Sequence, residues 1–168
     1  EARLAELRSE CDLTPVTRHE RFDVSSLNDA DAIARIAALR PRAVFVASTG
    51  MLRRALLESL ACPVVNYHSG VNPAYRGING GYFALANGEP PNFGVTLHLV
   101  DLGVDTGPIL ATNTIPVAAR SQQLVVDTMT RVLAGDIAPL PSRSLPSNQY
   151  YAPTLGQYLT NGFARGVW

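Results

Sequence analysis

An asparagine and a histidine two residues apart, with a distant aspartate, are the residues of this sequence that could carry out chemistry together. Asn66 and His68 follow the apolar residues 62–65, which predict a short buried strand. Residues two apart on a strand point to the same face, so the Asn66 amide and the His68 imidazole are expected side by side. Such a pair can hold and protonate a developing oxyanion, while Asp105 on another loop can set the charge of the imidazole.

Each of these residues also has an ordinary structural interpretation. A lone histidine at a strand end is more often a hydrogen-bonded structural residue than a catalytic one. Asp105 lies in a Val-Asp-Thr-Gly turn, where aspartate commonly forms an Asx turn. The pattern alone therefore leaves both interpretations open.

The elements that would position this set alternate along the first half of the chain. A helix over residues 29–39, a strand over 43–47 and a helix over 52–60 precede the strand that begins at Val64. This order, with short breaks, is typical of a parallel α/β sheet, in which ligands bind at the carboxyl ends of the strands. Asn66 and His68 fall at such an end.

The second half of the chain continues with mixed elements. The sequence predicts a loop over 70–79, a helix over 80–87, strands over 94–100 and 109–117 separated by a turn-rich loop, a helix over 122–134, and an extended surface segment over 139–153. Residues 1–10 indicate a helix, and no strand with a glycine-rich turn precedes them, although a doubly wound fold normally opens that way. We therefore expect an α/β fold with a Rossmann-like, mostly parallel sheet flanked by helices, its N-terminal strand and Gly-rich turn being absent from this chain.

Composition narrows the class of protein. A chain of 168 residues with 46% hydrophobic content fits one domain. The 14 basic and 14 acidic residues give zero net charge, so nucleic acid is not expected as a partner. All the basic residues are arginine, which excludes a lysine Schiff base within this chain. Two cysteines without a disulfide framework favour a cytoplasmic setting, and neither a membrane span nor a signal peptide is visible.

The stretch NYHSGVNPAYRGINGGYFALANGEPPNFGVTLHLVDLGVDTGPIL, residues 66–110, resembles the core of the folate-dependent formyltransferase family. That family includes methionyl-tRNA, glycinamide ribonucleotide and nucleotide-sugar formyltransferases and formyltetrahydrofolate hydrolase. The resemblance covers about residues 29–117, with a weaker match at 150–154. It rests on an Asn-x-His turn, a Tyr-Arg-Gly loop, a Gly-Val-Thr-x-His strand and an Asp-Thr-Gly-Pro loop in that order.

The resemblance implies a role for each residue of the set. Asn66, His68 and Asp105 match the catalytic residues of the family. An amine would attack the formyl carbon of 10-formyltetrahydrofolate, and Asn66 and His68 would hold the tetrahedral oxyanion. Asp105 would keep His68 protonated and, through a water, accept the proton that the amine loses.

The resemblance also implies where the folate binds, and it implies no metal. The residues matching the family's folate contacts lie in two loops: Gly50, Met51, Leu52, Asp101, Gly103 and Val104. Ser69 matches a supporting serine. For His98, support of the site and simple packing are equally open.

Other features of the loops leave alternatives. Many relatives read Ser-Leu-Leu-Pro where this chain reads Ser69 to Pro73 with glycine and valine, which removes two leucines from the folate wall. Arg76 is either a binder of an anionic group or a solvated loop residue. Tyr150 and Tyr151 either anchor the C-terminal segment or line the acceptor cleft.

The leading hypothesis is formyl transfer from 10-formyltetrahydrofolate to the amine of a small-molecule acceptor. We expect residues 1–155 to form the catalytic domain and residues 156–168 to form a tail packed on it. Neutral charge and the lack of a domain after about residue 155 argue against methionyl-tRNA. The alternatives are a 10-formyltetrahydrofolate hydrolase, a non-catalytic folate-binding domain and an unrelated nucleotide-binding α/β domain. No nucleic-acid or membrane partner is expected, and the oligomeric state is open, a homodimer being one option.

Overall fold

The computed structural model describes residues 21–114, 118–141 and 144–168. Its helices and strands are α1 (Ala30–Ala38), β1 (Val44–Ala47), α2 (Arg54–Ser59), β2 (Val64–His68), β3 (Arg76–Gly77), α3 (Gly80–Ala86), a 3-10 turn (Pro90–Asn92), β4 (Val95–Leu99), β5 (Ile109–Asn113), α4 (Ala118–Leu133), β6 (Gln149–Tyr150) and α5 (Leu155–Arg165). The helices and strands predicted from residue 29 onward are confirmed with shifts at their ends, except that residues 115–117 of the strand predicted over 109–117 lie outside the described residues. The helix predicted over residues 1–10 and the missing opening strand fall outside the described residues.

The main sheet has four strands in the order β1-β2-β4-β5. Strands β1 and β2 run parallel, whereas β2 pairs with β4 and β4 with β5 in antiparallel fashion. The α/β class is confirmed, but the described sheet is mixed rather than mostly parallel. The β4–β5 connection, residues 100–108, is shorter than the roughly dozen residues that a parallel crossover needs, so these strands can only pair antiparallel.

Helices cover both faces of this sheet. Neighbouring residues of β2 contact opposite helical layers because successive side chains of a strand point to opposite sides. Val65 belongs to a cluster with Leu97 and Leu110, against which α4 packs through Val132. Val64 faces the other way. Its cluster contains Val46, Leu52 and Leu56, with residues of α1 packed against it. The result is the helix–sheet–helix layering expected of a Rossmann-like fold.

A second, two-stranded sheet joins distant parts of the chain. In it β3 and β6 run parallel, with Arg76 opposite Gln149 and Gly77 opposite Tyr150. The ring of Tyr150 stacks at 5.1 Å from Tyr75 and at 4.5 Å from Phe83. Tyr150 is therefore the anchor of the C-terminal segment, one of the two roles left open for the tyrosine pair.

The C-terminal tail forms helix α5, which the sequence analysis did not predict. Thr154 caps it, because its side chain accepts from the Gln157 amide while the Gln157 side chain accepts from the Thr154 amide. Asn161 donates to the Tyr82 hydroxyl at 3.0 Å, and Tyr158 stacks on the same ring. These contacts join α5 to Tyr82 of α3. Within the part of the chain described, no helix is both long and apolar enough to cross a membrane.

Candidate active site

The carboxylate of Asp105 lies at the centre of the predicted set and receives hydrogen bonds on both oxygens. Its Oδ1 accepts from Asn66 Nδ2 at 3.1 Å and lies 3.2 Å from His98 Nε2. Its Oδ2 accepts from the backbone amide of Gly77 at 2.8 Å and lies 3.4 Å from His68 Nδ1. The structure thus brings together all three residues that the sequence singled out, around a side chain only 14% exposed.

Strand register explains why these groups meet. Strands β2 and β4 place Asn66 directly opposite His98, and the two side chains approach to 3.1 Å between Nδ2 and Nε2. The turn-rich loop after β4 then returns Asp105 to the same strand ends. Contact with both Asn66 and Asp105 favours support of the site over simple packing for His98, the alternative that the sequence left open.

The imidazole of His68 lies between two acceptors. Nδ1 faces Asp105, and Nε2 lies 2.6 Å from the backbone oxygen of Tyr75. Burial lowers the pKa of His68 below its ordinary value, and this effect outweighs the opposing influence of the Asp105 charge and the Tyr75 carbonyl. Burial of the ring therefore opposes the protonation of His68 that Asp105 is expected to favour.

The pKa of Asp105 lies below its ordinary value, although burial alone would raise it. Burial raises it, but the His98 hydrogen bond, the charge of His68 and the Gly77 amide together bring it below its ordinary value. Asp105 is therefore ionised at neutral pH. It is also a weak base for as long as it keeps these donors.

Side chains from two other segments fix the loop that carries Asp105. Asp101 Oδ1 accepts from the Gly103 amide at 3.0 Å and from the Thr106 hydroxyl at 2.7 Å. Arg76 donates from Nη1 to the Val104 carbonyl at 2.9 Å and from Nε to the Ser147 hydroxyl at 3.0 Å. Arg76 thus joins this loop to the segment before β6, a role that neither of its two sequence-based interpretations included.

A cleft of about 530 Å³ opens over this cluster. It is lined by the three predicted catalytic residues and by every residue predicted to contact the folate, namely Gly50, Met51, Leu52, Asp101, Gly103 and Val104. Ser69, His98, Gln149, Tyr150 and Tyr151 line it as well. Three non-glycine residues with left-handed backbone, Ser48, Asn79 and Asp105, also lie in the lining. Strained backbone of this kind is found mainly where function requires a particular geometry.

Two glycines are required by close approaches at this cleft. A Cβ on Gly70 would collide with His68 Nε2 and the Tyr75 carbonyl, so only glycine lets the His68–Tyr75 contact form. Gly77 has φ +93°, and a Cβ there would collide with the Tyr150 carbonyl. Gly70 had been interpreted as the loss of a pocket leucine. The structure gives it a positive role, because a side chain at this position would displace His68.

Two contributors to the site were not among the predicted residues. Asn72 is buried and donates from Nδ2 to the Asp105 carbonyl at 3.0 Å, and Gly77 contributes its backbone amide. An Asn-Pro pair in the loop after His68 was the available signal for the first, and the glycine of the Tyr-Arg-Gly loop for the second. Among the described residues, no group of three or more His, Cys, Asp or Glu could hold a metal ion.

Comparison with known proteins identifies relatives of this chain. The family model described as formyl transferase matches residues 2–139. A methionyl-tRNA formyltransferase of Synechococcus sp. (strain JA-3-3Ab) is 33% identical over 141 residues, which cover 76% of this chain and 43% of that protein. The methionyl-tRNA formyltransferase of Roseiflexus sp. (strain RS-1) is 37% identical over 130 residues, covering 69% and 40%. The chain thus spans about two-fifths of the length of these relatives.

A solved structure shares the fold at low sequence identity. It is the formyltransferase PseJ from Anoxybacillus kamchatkensis, solved in complex with UDP-4,6-dideoxy-4-formamido-L-AltNAc and tetrahydrofolate. The TM-score is 0.59 at 17% identity, and the match covers 83% of this chain and 75% of that one. This likeness extends the comparison from sequence motifs to the arrangement of the strands and helices.

Proposed function

This chain belongs to the formyl transferase family, and from that premise we propose that it transfers a formyl group from 10-formyltetrahydrofolate to the amine of a small-molecule acceptor. One observation carries the proposal. The Asp105 carboxylate, with the donors of Asn66 and His68 directed at it, borders the same cleft as both predicted folate loops.

The lining of the cleft suits a folate. Val46, Leu52 and Val100 provide an apolar surface, and the loop from Asp101 to Val104 runs along the cleft with its backbone shaped by internal hydrogen bonds. A flat ring system with polar edges needs both features, apolar contact for its faces and backbone groups for its edges. The bound tetrahydrofolate of PseJ supports the same ligand class here.

The reaction moves one proton off the acceptor and one onto the folate. The amine nitrogen forms a bond to the formyl carbon, the bond from that carbon to the folate nitrogen breaks, the amine loses a proton and the folate nitrogen gains one. Bound 10-formyltetrahydrofolate supplies the electrophilic formyl group. Asn66 Nδ2 and, when the ring is protonated, His68 Nδ1 are the donors for the formyl oxygen, whose negative charge grows as the amine attacks.

The hydrogen bonds of Asp105 connect the stabilisation of the formyl oxygen with the removal of a proton from the amine. In the free protein Asn66 Nδ2 donates to the Asp105 carboxylate, and His68 Nδ1 faces it. When they turn to the formyl oxygen, the carboxylate loses hydrogen bonds that favour its ionised form, and its pKa rises. Asp105 therefore becomes a stronger base when the amine needs to lose its proton, directly or through a water.

The charge of the cleft supports a small amine as acceptor. Among the described residues that line it, the acidic side chains are Asp101 and Asp105, and none is arginine. Carboxylates attract an amine, whereas a phosphate beside the reacting nitrogen would be repelled. The curated relatives are named for methionyl-tRNA and PseJ for a nucleotide-linked sugar, so both kinds of acceptor belong in the test.

The test follows labelled formyl groups from 10-formyltetrahydrofolate into products. The protein is incubated with the donor alone, and then with a panel containing amino sugars, their nucleotide conjugates, amino-acid amides and methionyl-tRNA. The expected result is a formamide that appears only with one class of small amine. Rapid formate release without any amine contradicts transfer, and formylation of methionyl-tRNA alone contradicts the small acceptor.

A matched pair of variants assigns the activity to the site. Asp105→Asn keeps the shape of the side chain but removes its charge and proton affinity, so the rate should fall by roughly 100-fold or more. Asp127→Asn, on an exposed face of α4, makes the same chemical change away from the cleft and should leave the rate unchanged. Equal rates for both variants would remove Asp105 from the mechanism.

A further inference from the structure

The backbone of Asp105 has a conformation that is uncommon for residues other than glycine, although aspartate adopts it more often than most. Its φ is +50°, in the left-handed region. A non-glycine residue persists there when neighbouring groups over-determine its position. The direction of the Asp105 carboxylate depends on this conformation, so the groups that bind its backbone decide where the charge lies.

Asn72 is the buried group that binds this backbone. Its side chain is only 1% exposed, and its Nδ2 donates to the carbonyl oxygen of Asp105 at 3.0 Å. The carbonyl one residue earlier, on Val104, is bound by Arg76. Two consecutive carbonyls are therefore held by side chains from the loop after His68. Of the two, Asn72 is fully enclosed and so has a single available position.

Asn72 is itself fixed to the central sheet. Its backbone amide donates to Thr96 Oγ1 at 3.0 Å, and the Thr96 hydroxyl donates to the Gly70 carbonyl at 2.7 Å. Thr96 is fully buried on β4, directly opposite His68 on β2. A chain of hydrogen bonds thus runs from the strand that pairs with His68 to the backbone of Asp105.

We propose that Asn72 is a positioning residue, which holds Asp105 in its left-handed conformation and so directs the carboxylate at Asn66, His68, His98 and the Gly77 amide. It touches none of the reacting atoms. Its effect on rate rests on the proposed formyl transfer, whereas its effect on the position of the carboxylate is a property of the free protein.

The oxygen of the Asn72 side chain allows this role to be separated from folding. Asn72 Oδ1 is buried and has no hydrogen-bond partner among the described residues. Leucine has the same branched shape, although its methyl groups are larger, and it leaves no buried oxygen unsatisfied at position 72. Asn72→Leu should therefore still fold, with a midpoint of urea unfolding lowered by the lost bond to the Asp105 carbonyl, and it releases that carbonyl.

The decisive measurement is a pH titration of the imidazoles by NMR in the free protein. The chain has three histidines, so the signals of His68 and His98 can be assigned by single substitutions. The groups facing Asp105 are these two imidazoles, the Asn66 amide and the Gly77 amide. In Asn72→Leu the carboxylate moves away, so the pKa of His68 should fall further, because the charge that raises it is withdrawn.

Variants of Thr96 provide the matched controls. Thr96→Val removes the hydroxyl that accepts from the Asn72 amide, so it should lower the pKa of His68, but by less than Asn72→Leu does. Thr96→Ser keeps the hydroxyl and should show the parental titration of His68. Thr112→Val removes a hydroxyl bond to the Val95 carbonyl in the same sheet without touching Asp105. It should leave the titration of His68 unchanged.

Kinetics supply a second readout. Displacement of a reacting group by about 1 Å can cost roughly 100-fold in rate, so kcat of Asn72→Leu should fall by about that factor while the KM for the folate donor changes little. Parental titration of His68 in Asn72→Leu would overturn the proposal. If no formyl transfer is found even in the parent, the proposed function fails, and the titration still decides the role of Asn72.

Discussion

The carbonyl oxygen of Tyr75 lies 2.6 Å from Nε2 of His68. The other ring nitrogen faces Asp105, so an imidazolium could donate on both sides, whereas a neutral ring can donate on only one. Burial nevertheless lowers the pKa of the ring. Desolvation therefore disfavours the charged imidazole, whereas the two acceptors favour it. Because these effects oppose each other, the charge of His68 is sensitive to what enters the cleft.

The first prediction concerns stability between neutral and mildly acidic pH. The pKa of folded His68 lies below its ordinary value of 6.5, so the unfolded chain takes up this proton more readily than the folded protein. The contribution of His68 to the free energy of unfolding is therefore fully present above pH 6.5. It is lost as the pH falls from there towards the lower pKa that the ring has in the folded protein. Urea unfolding across this range should show a slope that His68→Gln flattens. An unchanged slope in the variant contradicts the prediction.

The second prediction concerns acid unfolding. The pKa of folded Asp105 is lowered from its ordinary value of 3.8, so its stabilising effect is present above that value and disappears as the pH drops towards the folded pKa. Asp105→Asn removes this contribution. Its free energy of unfolding should therefore depend less on pH below about 4. Acid titration followed by circular dichroism checks this, with Asp127→Asn, on exposed α4, as the variant expected to behave like the parent.

The third prediction concerns the close approach at Gly70. A methyl group there collides with His68 Nε2 and the Tyr75 carbonyl, so Gly70→Ala must displace the ring. We expect a loss of about 1–3 kcal/mol in stability, typical of overpacking, together with loss of formyl transfer. Gly156→Ala on α5 meets nothing within 4 Å and should be neutral or slightly stabilising. Thermal unfolding of both variants tests the contrast, and wild-type stability of Gly70→Ala would refute it.

The fourth prediction assigns Tyr151 to the acceptor side of the cleft. Its side chain is 68% exposed at the rim, and its hydroxyl accepts from Gln149 Nε2 at 3.0 Å, which restrains the ring. Tyr151→Ala should raise the KM for the acceptor amine several-fold with little change in the KM for the donor. Tyr151→Phe, which keeps the ring, should lie between parent and alanine. A rise in the donor KM instead would place the ring on the folate side.

Local patterns in the sequence predicted the parts of the fold that depend on neighbours along the chain. Apolar spacing found α1 and β4 to within a few residues, and the motif around Asn66 and Asp105 indicated the centre of the cleft. Helix α5 was missed, although Thr154 and Gln157 form the spacing of a capping box.

Contacts between distant segments could not be predicted in this way. The pairing of β3 with β6 rests on two-residue strands, Arg76–Gly77 and Gln149–Tyr150, which are too short for any periodic pattern. The lowered pKa of His68 could not be predicted for a related reason. A sequence shows that a carboxylate can reach an imidazole, but it does not show how much water the folded chain removes from the ring.

The β3–β6 pairing makes the rim of the cleft depend on a segment that lies far beyond Asp105 along the chain. On a ribosome, Asn66, His68 and Asp105 are synthesised well before Gln149, Tyr150 and Tyr151, which complete the lining. A nascent chain can therefore assemble the acid–base cluster while its pocket is still open on one side.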